Sequence, residues 1–366
     1  MMQKYNLYAF VFLLILNSLA YCQTIPRPQV EFNPRYYIVH RAEEKITVDG
    51  ALNEKSWRAA EWTEDFIDIE GDIRPAPRFR TRAKMLWDDE YFYVAAELQE
   101  PDIWATLTNR DDIIFYDNDF EIFIDPDGDT HRYLEFEMNA FNTVWDLLLI
   151  KPYRDTEKAA LHGYDIKGLK SGVRIYGTIN KPGDIDSCWT VEVAFPWSAF
   201  EEITDINLPP QDGDKWRINF SRVEWRTTVK DNRYAKIINP ETGKPYPEDN
   251  WVWTPQGVVN MHYPEMWGFV QFTTNTAYNK NIDFKYDDVE EVKWFLRQLY
   301  YAQREYYERN KRYTDDLTLL DLPETNKYET TVEATANLYE AEVKINERSS
   351  VRITQDGLIK IINRDL

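Results

Sequence analysis

Short segments in which apolar and polar residues alternate recur through the middle of the chain, and this period of two is typical of β-strands with one buried face. The segments are 119–125, 133–139, 189–195 and 216–221. In the second of them, Leu134, Phe136 and Met138 share one face, whereas Glu135 and Glu137 occupy the other. We therefore expect the three apolar side chains to be buried and the two acids to remain unburied.

The alternating segments predict an all-β antiparallel sandwich, in which two sheets bury their apolar faces against each other. We place the sandwich at residues 46–273, after an extended lead-in at 23–45 that contains several prolines. A short helix over 52–60, with Trp57 directed inward, precedes a β-hairpin over 79–98. The hairpin turn is acidic and tight, as expected for a connection between neighbouring antiparallel strands.

The C-terminal part of the chain has a different pattern. Residues 288–312 carry apolar side chains at the spacing of an amphipathic helix. Segments 341–345 and 350–362 alternate like strands, and the second contains an Asp-Gly turn signal. We therefore predict a small appendage over 278–366, made of a helix and a β-hairpin, that packs on the sandwich.

The N-terminus has the features of a secretory signal peptide. An apolar run at 7–16 is too short to span a bilayer, and Ala20 and Cys22 fit cleavage at the end of segment 1–22. The alternative is a lipoprotein with Cys22 as the lipidated residue, although the bulky Tyr21 disfavours it. We expect an exported protein, periplasmic or extracellular.

Charge and cysteine content narrow the function further. The formal net charge of −20 disfavours binding to nucleic acid or to anionic lipid surfaces. Downstream of the N-terminal run no segment is apolar enough for a membrane span, so we expect a soluble mature chain. Cys188 is the only cysteine beyond the signal region, and the mature chain therefore has no partner for an intrachain disulfide.

Tryptophan-bearing β motifs follow one another in a defined order. They read VDGALNEKSW (48–57), KMLWDDEYFYVAAEL (84–98), DNDFEIFIDPDGD (117–129), YLEFEMNAFNTVWD (133–146), WTVEVAFPW (189–197), GDKWRINFSRVEW (213–225) and MHYPEMWGFVQF (261–272). As a series these motifs resemble the family 9 carbohydrate-binding modules and DOMON-like β-sandwiches, over roughly three-fifths of the chain. The resemblance implies an antiparallel sandwich that binds sugars and does not cleave them.

Sugar binding needs aromatic rings that stack on C–H faces and planar polar groups that hold hydroxyls. The polar candidates on outward strand faces are Glu121, Tyr133, Glu135, Glu137, Asn139 and Arg222. The aromatic candidates, at strand ends or in loops, are Trp104, Trp225, Trp251 and Trp253, and Trp145 also sits where a ring can protrude. We predict that Glu121, Glu137 and Asn139 form the polar floor of the site, whereas Trp57 and Trp189 belong to the core.

The resemblance adds expectations for individual positions. In the family, a sugar end is held between two tryptophans above acidic, arginine and asparagine side chains. Glu121 and Asn139 fall at binding positions of the family motifs. Glu137 stands where a module that binds reducing ends would carry a residue such as arginine, so the resemblance does not extend to that ligand.

An acidic turn is the candidate metal site. Asp125, Asp127 and Asp129 place three carboxylates within five residues, and calcium prefers such oxygen ligands. The turn is not an EF-hand, because Phe136 stands where the closing glutamate would be. The alternative is a solvated acidic corner without an ion. The resemblance also implies a structural calcium, and the residues indicate no other cofactor.

We therefore hypothesise an exported, non-catalytic carbohydrate-binding protein that supports glycan capture or carbohydrate catabolism, with envelope-associated glycan-degrading proteins as partners. One alternative is a glycoside hydrolase, or its accessory subunit, that uses the same acidic face. Glu135 and Glu137 point the same way along one strand, whereas catalytic acids usually face each other across a cleft, and no catalytic residue is assigned. A second alternative is a structural or protein-interaction sandwich with the appendage as its contact surface.

Overall fold

The computed structural model describes residues 25–155, 158–279, 282–322 and 327–363. The predicted signal peptide and the lipidation alternative at Cys22 lie outside these residues. Within the described ranges, no helix combines the length and the apolar character needed to cross a membrane.

The larger part of the described chain consists of β-strands with one short helix. In chain order these elements are β1 (Tyr36–Arg41), α1 (Lys55–Ala59), β2 (Ile67–Asp68), β3 (Thr81–Trp87), β4 (Tyr91–Gln99), β5 (Asp119–Asp125), β6 (Tyr133–Asn139), β7 (Val144–Leu149), β8 (Ala160–Leu161), β9 (Lys170–Tyr176), β10 (Cys188–Pro196), β11 (Lys215–Glu224), β12 (Thr227–Lys230), β13 (Arg233–Lys236), β14 (Asp249–Val252) and β15 (Gly268–Thr276). The predicted hairpin is formed by β3 and β4, which pair antiparallel.

One folded-over sheet builds the sandwich. Its strand order is β8-β7-β6-β5-β11-β15-β1-β3-β4-β10-β9, and β14 pairs with both β11 and β2. The two ends of the sheet face each other, so that Met85 and Val94 share one apolar core with Ile122 and Phe136. The β-sandwich predicted from the sequence is therefore confirmed.

Strand β1 lies in the segment that the sequence placed in an extended lead-in. It pairs in parallel with β15 and with β3, and it buries Tyr37 and Val39 in the core. The remaining strand pairs of this sheet, among the described residues, are antiparallel. The sheet of the sandwich thus extends upstream of residue 46.

The register of β6 agrees with the sequence, but the burial of its acids does not. Leu134, Phe136 and Met138 are fully buried in the core, as predicted. Glu135 and Glu137 point to the opposite face, yet they are only 6% and 2% exposed. The prediction that they remain unburied is wrong, because side chains of β7, β14 and the segment 259–262 wall in this face of the sheet.

The appendage is a helix on a small sheet. Its elements are α2 (Val289–Asn310), β16 (Thr330–Ala334), β17 (Tyr339–Lys344), β18 (Ser349–Thr354) and β19 (Ile359–Asn363). The strands form an antiparallel sheet in chain order, so the expected hairpin is part of a four-stranded sheet. Leu296 and Leu299 of α2 pack with Val343 and Ile353 in a second apolar core.

A buried polar network joins the appendage to the sandwich. Arg154 donates two hydrogen bonds to the carboxylate of Glu265, at 2.8 Å and 3.0 Å, and the hydroxyl of Tyr301 donates a third. Arg297 of α2 donates to the hydroxyl of Thr130 at 3.2 Å, in the turn between β5 and β6. The polar contacts fix α2 against the same end of the sandwich as the acidic turn.

Candidate ligand-binding cleft

A cleft of about 360 Å³ opens on the face of β5, β6 and β7 that points away from the core. Glu121 of β5 lies in it together with Glu135 and Glu137 of β6. Its aromatic walls are Phe115, Phe123, Trp145 and Tyr153, and its further polar walls are Glu248, Asn250, Asn260 and His262. The cleft thus combines carboxyl groups and aromatic rings on one concave surface.

Strand register brings these side chains together. Glu121 lies directly opposite Glu137 across the β5–β6 pair, and Glu137 lies opposite Trp145 across the β6–β7 pair. Directly paired residues have Cβ atoms about 4.5–5.5 Å apart, which is close enough for three side chains to contact one ligand. The ring of His162 stacks on the indole of Trp145, with ring centroids 5.7 Å apart and an angle of 17° between the ring planes.

Three carboxyl groups of the cleft, those of Glu121, Glu135 and Glu137, have raised pKa values. Burial raises the pKa of Glu121 to about 7. Burial also raises the pKa of Glu135 and of Glu137 well above 4.5, and the neighbouring carboxylates raise both further. The backbone N–H of Phe115 partly opposes this by donating to Glu137 at 3.1 Å. A carboxyl group accepts hydrogen bonds when ionised and can also donate one when protonated.

Two polar residues predicted for the site lie outside the cleft. Tyr133 is fully buried behind the wall, where its hydroxyl is 2.9 Å from Nδ1 of His262. The amide of Asn139 donates to Asp117 at 3.0 Å, and its oxygen accepts from the backbone N–H of Phe141 and Thr143. Asn139 therefore stabilises the turn after β6, and its predicted place in the polar floor is corrected.

The four tryptophans proposed as platforms are buried. Trp251 and Trp253 belong to the apolar core of the sandwich, and Trp104 packs with Trp225 in a small separate cluster. The indole N–H of Trp225 donates to the backbone oxygen of Phe115 at 2.9 Å. The prediction of exposed rings is corrected, because packing these large apolar surfaces inside the fold is strongly favourable. Trp145 is only 7% exposed, so the expectation that its ring protrudes is also wrong, although it lines the cleft.

Arg222 is also structural. Its guanidinium is fully buried and donates to Glu100 at 2.7 Å, to Glu224 at 2.8 Å and to the backbone oxygen of Gln99 at 2.8 Å. These contacts join β11 to the end of β4. Because the guanidinium is engaged in these buried contacts and Arg222 is not among the residues that line the cleft, the structure gives no support to its predicted binding role.

The acidic turn brings its three carboxylates together, with oxygens within 4.8 Å of one another. Asp125 accepts from the backbone N–H of Thr130 at 2.9 Å, and Asp127 accepts from the hydroxyl of Thr204 at 2.9 Å. The carboxylate of Asp129 accepts from the backbone N–H of His131 at 2.7 Å. The carbonyl oxygen of Asp129 accepts from the backbone N–H of Ile359, in the appendage, at 3.3 Å. These hydrogen bonds give each acid a role in shaping the turn, and calcium binding at this turn stays a prediction.

Several cleft residues were not identified from the sequence. Phe115 and Tyr153 lie in single turns of 3₁₀-helix (Ile114–Tyr116 and Tyr153–Asp155), and Asn260 and His262 come from the loop before β15. The periodic pattern of a strand extends to neither kind of segment. Phe123 could have been found, because it shares the outward face of β5 with Glu121.

Comparison with known proteins supports the resemblance over part of the chain. Residues 48–209 match the family model described as carbohydrate family 9 binding domain-like. The match contains β5, β6 and β7, hence Glu121, Glu135 and Glu137 of the cleft, whereas Glu248, Asn260 and His262 lie beyond it. The resemblance predicted from the motifs is confirmed for this region. No curated protein matches the chain.

Among solved structures, a protein from Bacteroides uniformis that is provisionally described as carbohydrate-binding matches this chain. Its sequence identity to this chain is 16% and its TM-score is 0.48, and the alignment covers 66% of this chain and 100% of that one. A family 9 carbohydrate-binding module from Caldicellulosiruptor kristjanssonii in complex with cellotriose has 16% identity, TM-score 0.42, and coverage of 69% and 100%. The same kind of module in complex with glucose has 15% identity, TM-score 0.42, and coverage of 68% and 100%. At these low scores, none of their ligands is transferred to this chain.

Proposed function

From the match of residues 48–209 to the carbohydrate family 9 binding domain-like model, we propose that this protein binds carbohydrate in the cleft formed by β5, β6 and β7. In this proposal the protein does not cleave the carbohydrate. The observation that carries the proposal is the placement of Glu121, Glu135 and Glu137 beside the ring of Trp145. A sugar offers C–H faces to such a ring and hydroxyls to such carboxyls.

The shape of the cleft supports a small ligand. Its volume of about 360 Å³ lies within the range of about 300–1,000 Å³ that is common for small-molecule sites. Its walls rise on several sides, with Tyr153 and Asn260 among them. A concave site of this size suits a monosaccharide unit or a chain end better than the flat surface of a crystalline polysaccharide.

Polar chemistry also supports a neutral, hydroxyl-rich ligand. Burial raises the pKa of Glu135 and of Glu137, and a carboxyl group accepts hydrogen bonds when ionised and also donates one when protonated. Asn250 and Asn260 add amide groups with the same dual capacity. In this proposal the predicted signal peptide directs the binding activity outside the cytoplasm, where the protein captures glycans for degradation.

A glycan array followed by calorimetric titration tests the proposal, with glucose and cellotriose among the soluble ligands. Trp145→Ala is expected to weaken binding at least tenfold, because a stacking platform is removed. Trp62→Ala is the matched control, since Trp62 is half-buried and borders a different cleft, next to β1. A protein that binds no glycan, or that loses binding through Trp62→Ala alone, would contradict this assignment.

One observation favours the hydrolase alternative. Asp119, Glu121 and Glu137 bring carboxylate oxygens within 4.8 Å of one another, and the pKa of Glu121 is raised to about 7 by burial. Retaining glycosidases use two carboxyl groups about 5–5.5 Å apart, one of them with a raised pKa. Hydrolysis of chromogenic glycosides that Glu121→Gln abolishes would establish this activity, and an inactive wild-type protein on a broad panel would reject it.

A further inference from the structure

We propose that Asp119, Glu121 and Glu137 bind a divalent cation of the calcium type, with Glu121 and Glu137 in the wall of the cleft and Asp119 buried beside them. Each residue contributes one carboxylate oxygen to a group in which all oxygens lie within 4.8 Å of one another. Two oxygens that bind one calcium ion at about 2.3–2.6 Å are separated by at most about 5 Å. The carboxylates therefore reach a common ion without rearrangement of the strands.

The backbone holds these acids together in spite of their repulsion. Asp119 and Glu121 are two residues apart on β5 and share a face, and Glu137 lies directly opposite Glu121 on β6. Like charges at directly opposite positions of two strands destabilise a sheet. An ion of opposite charge between them turns this repulsion into a stabilising contact.

Unpartnered buried oxygens are the second, independent observation. Asp119 is fully buried, and its Oδ1 accepts from the backbone N–H of Val223 at 3.2 Å. Its Oδ2 has no hydrogen-bond partner in the described part of the chain, although it is shielded from solvent. Glu135, which is 6% exposed and lines the same cleft, has an Oε2 in the same condition. Buried carboxylate oxygens are normally satisfied, and a cation would supply the missing partner.

The charges that act on Asp119 and Glu137 come from other carboxylates. Across the ranges that the structure describes, no ion pair includes Asp119, Glu121, Glu135 or Glu137. The acidic turn after β5 differs in this respect, because the guanidinium of Arg132 lies 3.9 Å from two of its acids. The cleft group thus has more need of an external cation than the turn does.

The donor set points to a hard cation. All three ligands are carboxylates, which suits calcium with its six to eight oxygen ligands better than zinc, which favours nitrogen and sulfur. His262 is the histidine of the cleft wall, but its Nδ1 is already 2.9 Å from the hydroxyl of Tyr133. Water or a ligand hydroxyl would complete the coordination from the open side of the cleft.

Calcium chloride alone, titrated into the chelator-treated full-length protein by calorimetry, tests the proposal without any sugar. We expect one strong site per chain in the wild-type protein and a rise in melting temperature on adding calcium. Glu137→Gln and Asp119→Asn should each weaken calcium binding at least tenfold and abolish the shift in melting temperature. Asp127→Asn, in the acidic turn, is the matched control and should keep the strong calcium site that Glu137→Gln and Asp119→Asn weaken.

Folding and binding remain separable in this design. Each variant is first melted in chelator, where a cooperative transition shows that it is folded. The proposal is overturned if the folded wild-type protein binds no calcium at millimolar concentration, or if Asp127→Asn abolishes binding while Glu137→Gln does not. Because sugar binding is measured independently with glycans, failure of the cation site leaves the proposed carbohydrate function untouched.

Discussion

Replacing Glu265 with glutamine should destabilise the protein at neutral pH, because this carboxylate joins the sandwich to α2. It is buried and accepts hydrogen bonds from Arg154 at 2.8 Å and 3.0 Å and from the hydroxyl of Tyr301. Burial alone would raise the pKa of Glu265. The positive charges of Arg154 and Arg297 outweigh burial and lower the pKa to about 2.

The size of the effect follows from the change in pKa. A decrease from 4.5 to about 2 corresponds to about 3 kcal/mol of additional free energy of unfolding. Because the pKa of Glu265 is lower in the folded state, this stabilisation is fully present above the unfolded-state pKa and is lost as the pH falls from 4.5 to 2. Removing one partner of a buried ion pair typically costs about 3–5 kcal/mol, which agrees with this figure.

Urea-induced unfolding of Glu265→Gln and wild type, at pH 7 and near pH 3, measures the difference. We expect a loss of about 3 kcal/mol at pH 7 and a clearly smaller loss near pH 3. Glu305→Gln is the control, because Glu305 pairs with Arg27 at 2.6 Å but keeps 34% of its side chain exposed. That variant should lose less than about 1 kcal/mol. Equal losses in the two variants, or a loss at Glu265 that does not depend on pH, would refute the reasoning.

Three further outcomes are expected. Trp253→Ala should lower the free energy of unfolding by about 3–5 kcal/mol in chemical denaturation, since this ring is fully buried in the core. An unchanged free energy of unfolding would contradict this assignment. Gly268→Ala should cost about 1–3 kcal/mol, because the new Cβ would lie 2.3 Å from the ring of Trp253, and an unchanged melting temperature would argue against it. Burial raises the pKa of the Cys188 thiol, so iodoacetamide should alkylate it more slowly at pH 8 than an exposed cysteine, and a rate equal to that of free cysteine would disprove this.

The fold was predictable wherever a segment is strictly periodic and its partner is near in sequence. The β5–β6 pair is such a case, since a short turn joins two alternating strands and thereby fixes Glu121 opposite Glu137. Strand β1 was not predictable, because it pairs with β15, which lies more than 200 residues downstream. A six-residue strand carries too little periodic signal to identify a distant parallel partner.

The site was predictable in its acids and not in its aromatic residues. Alternation shows on which face Glu135 lies, but it carries no information about which loops cover that face. Trp251 follows a long polar loop, so its position depends on how β14 adds to β11, and that pairing directs the ring into the core. Sequence reasoning therefore located the polar groups of the cleft and misplaced its rings.

The segment that precedes β15 belongs to two structures at once. Asn260 and His262 form part of the cleft wall, and three residues further on Glu265 binds Arg154 and the hydroxyl of Tyr301 on α2. By thermodynamic reciprocity, a ligand that orders this wall would favour the docked appendage, and docking would favour the ligand to the same extent. The family match at 48–209 ends before this segment, so the region that responds together to a ligand is larger than the matched region. A sandwich truncated after residue 277, without the appendage, should therefore have a lower ligand affinity than the full chain.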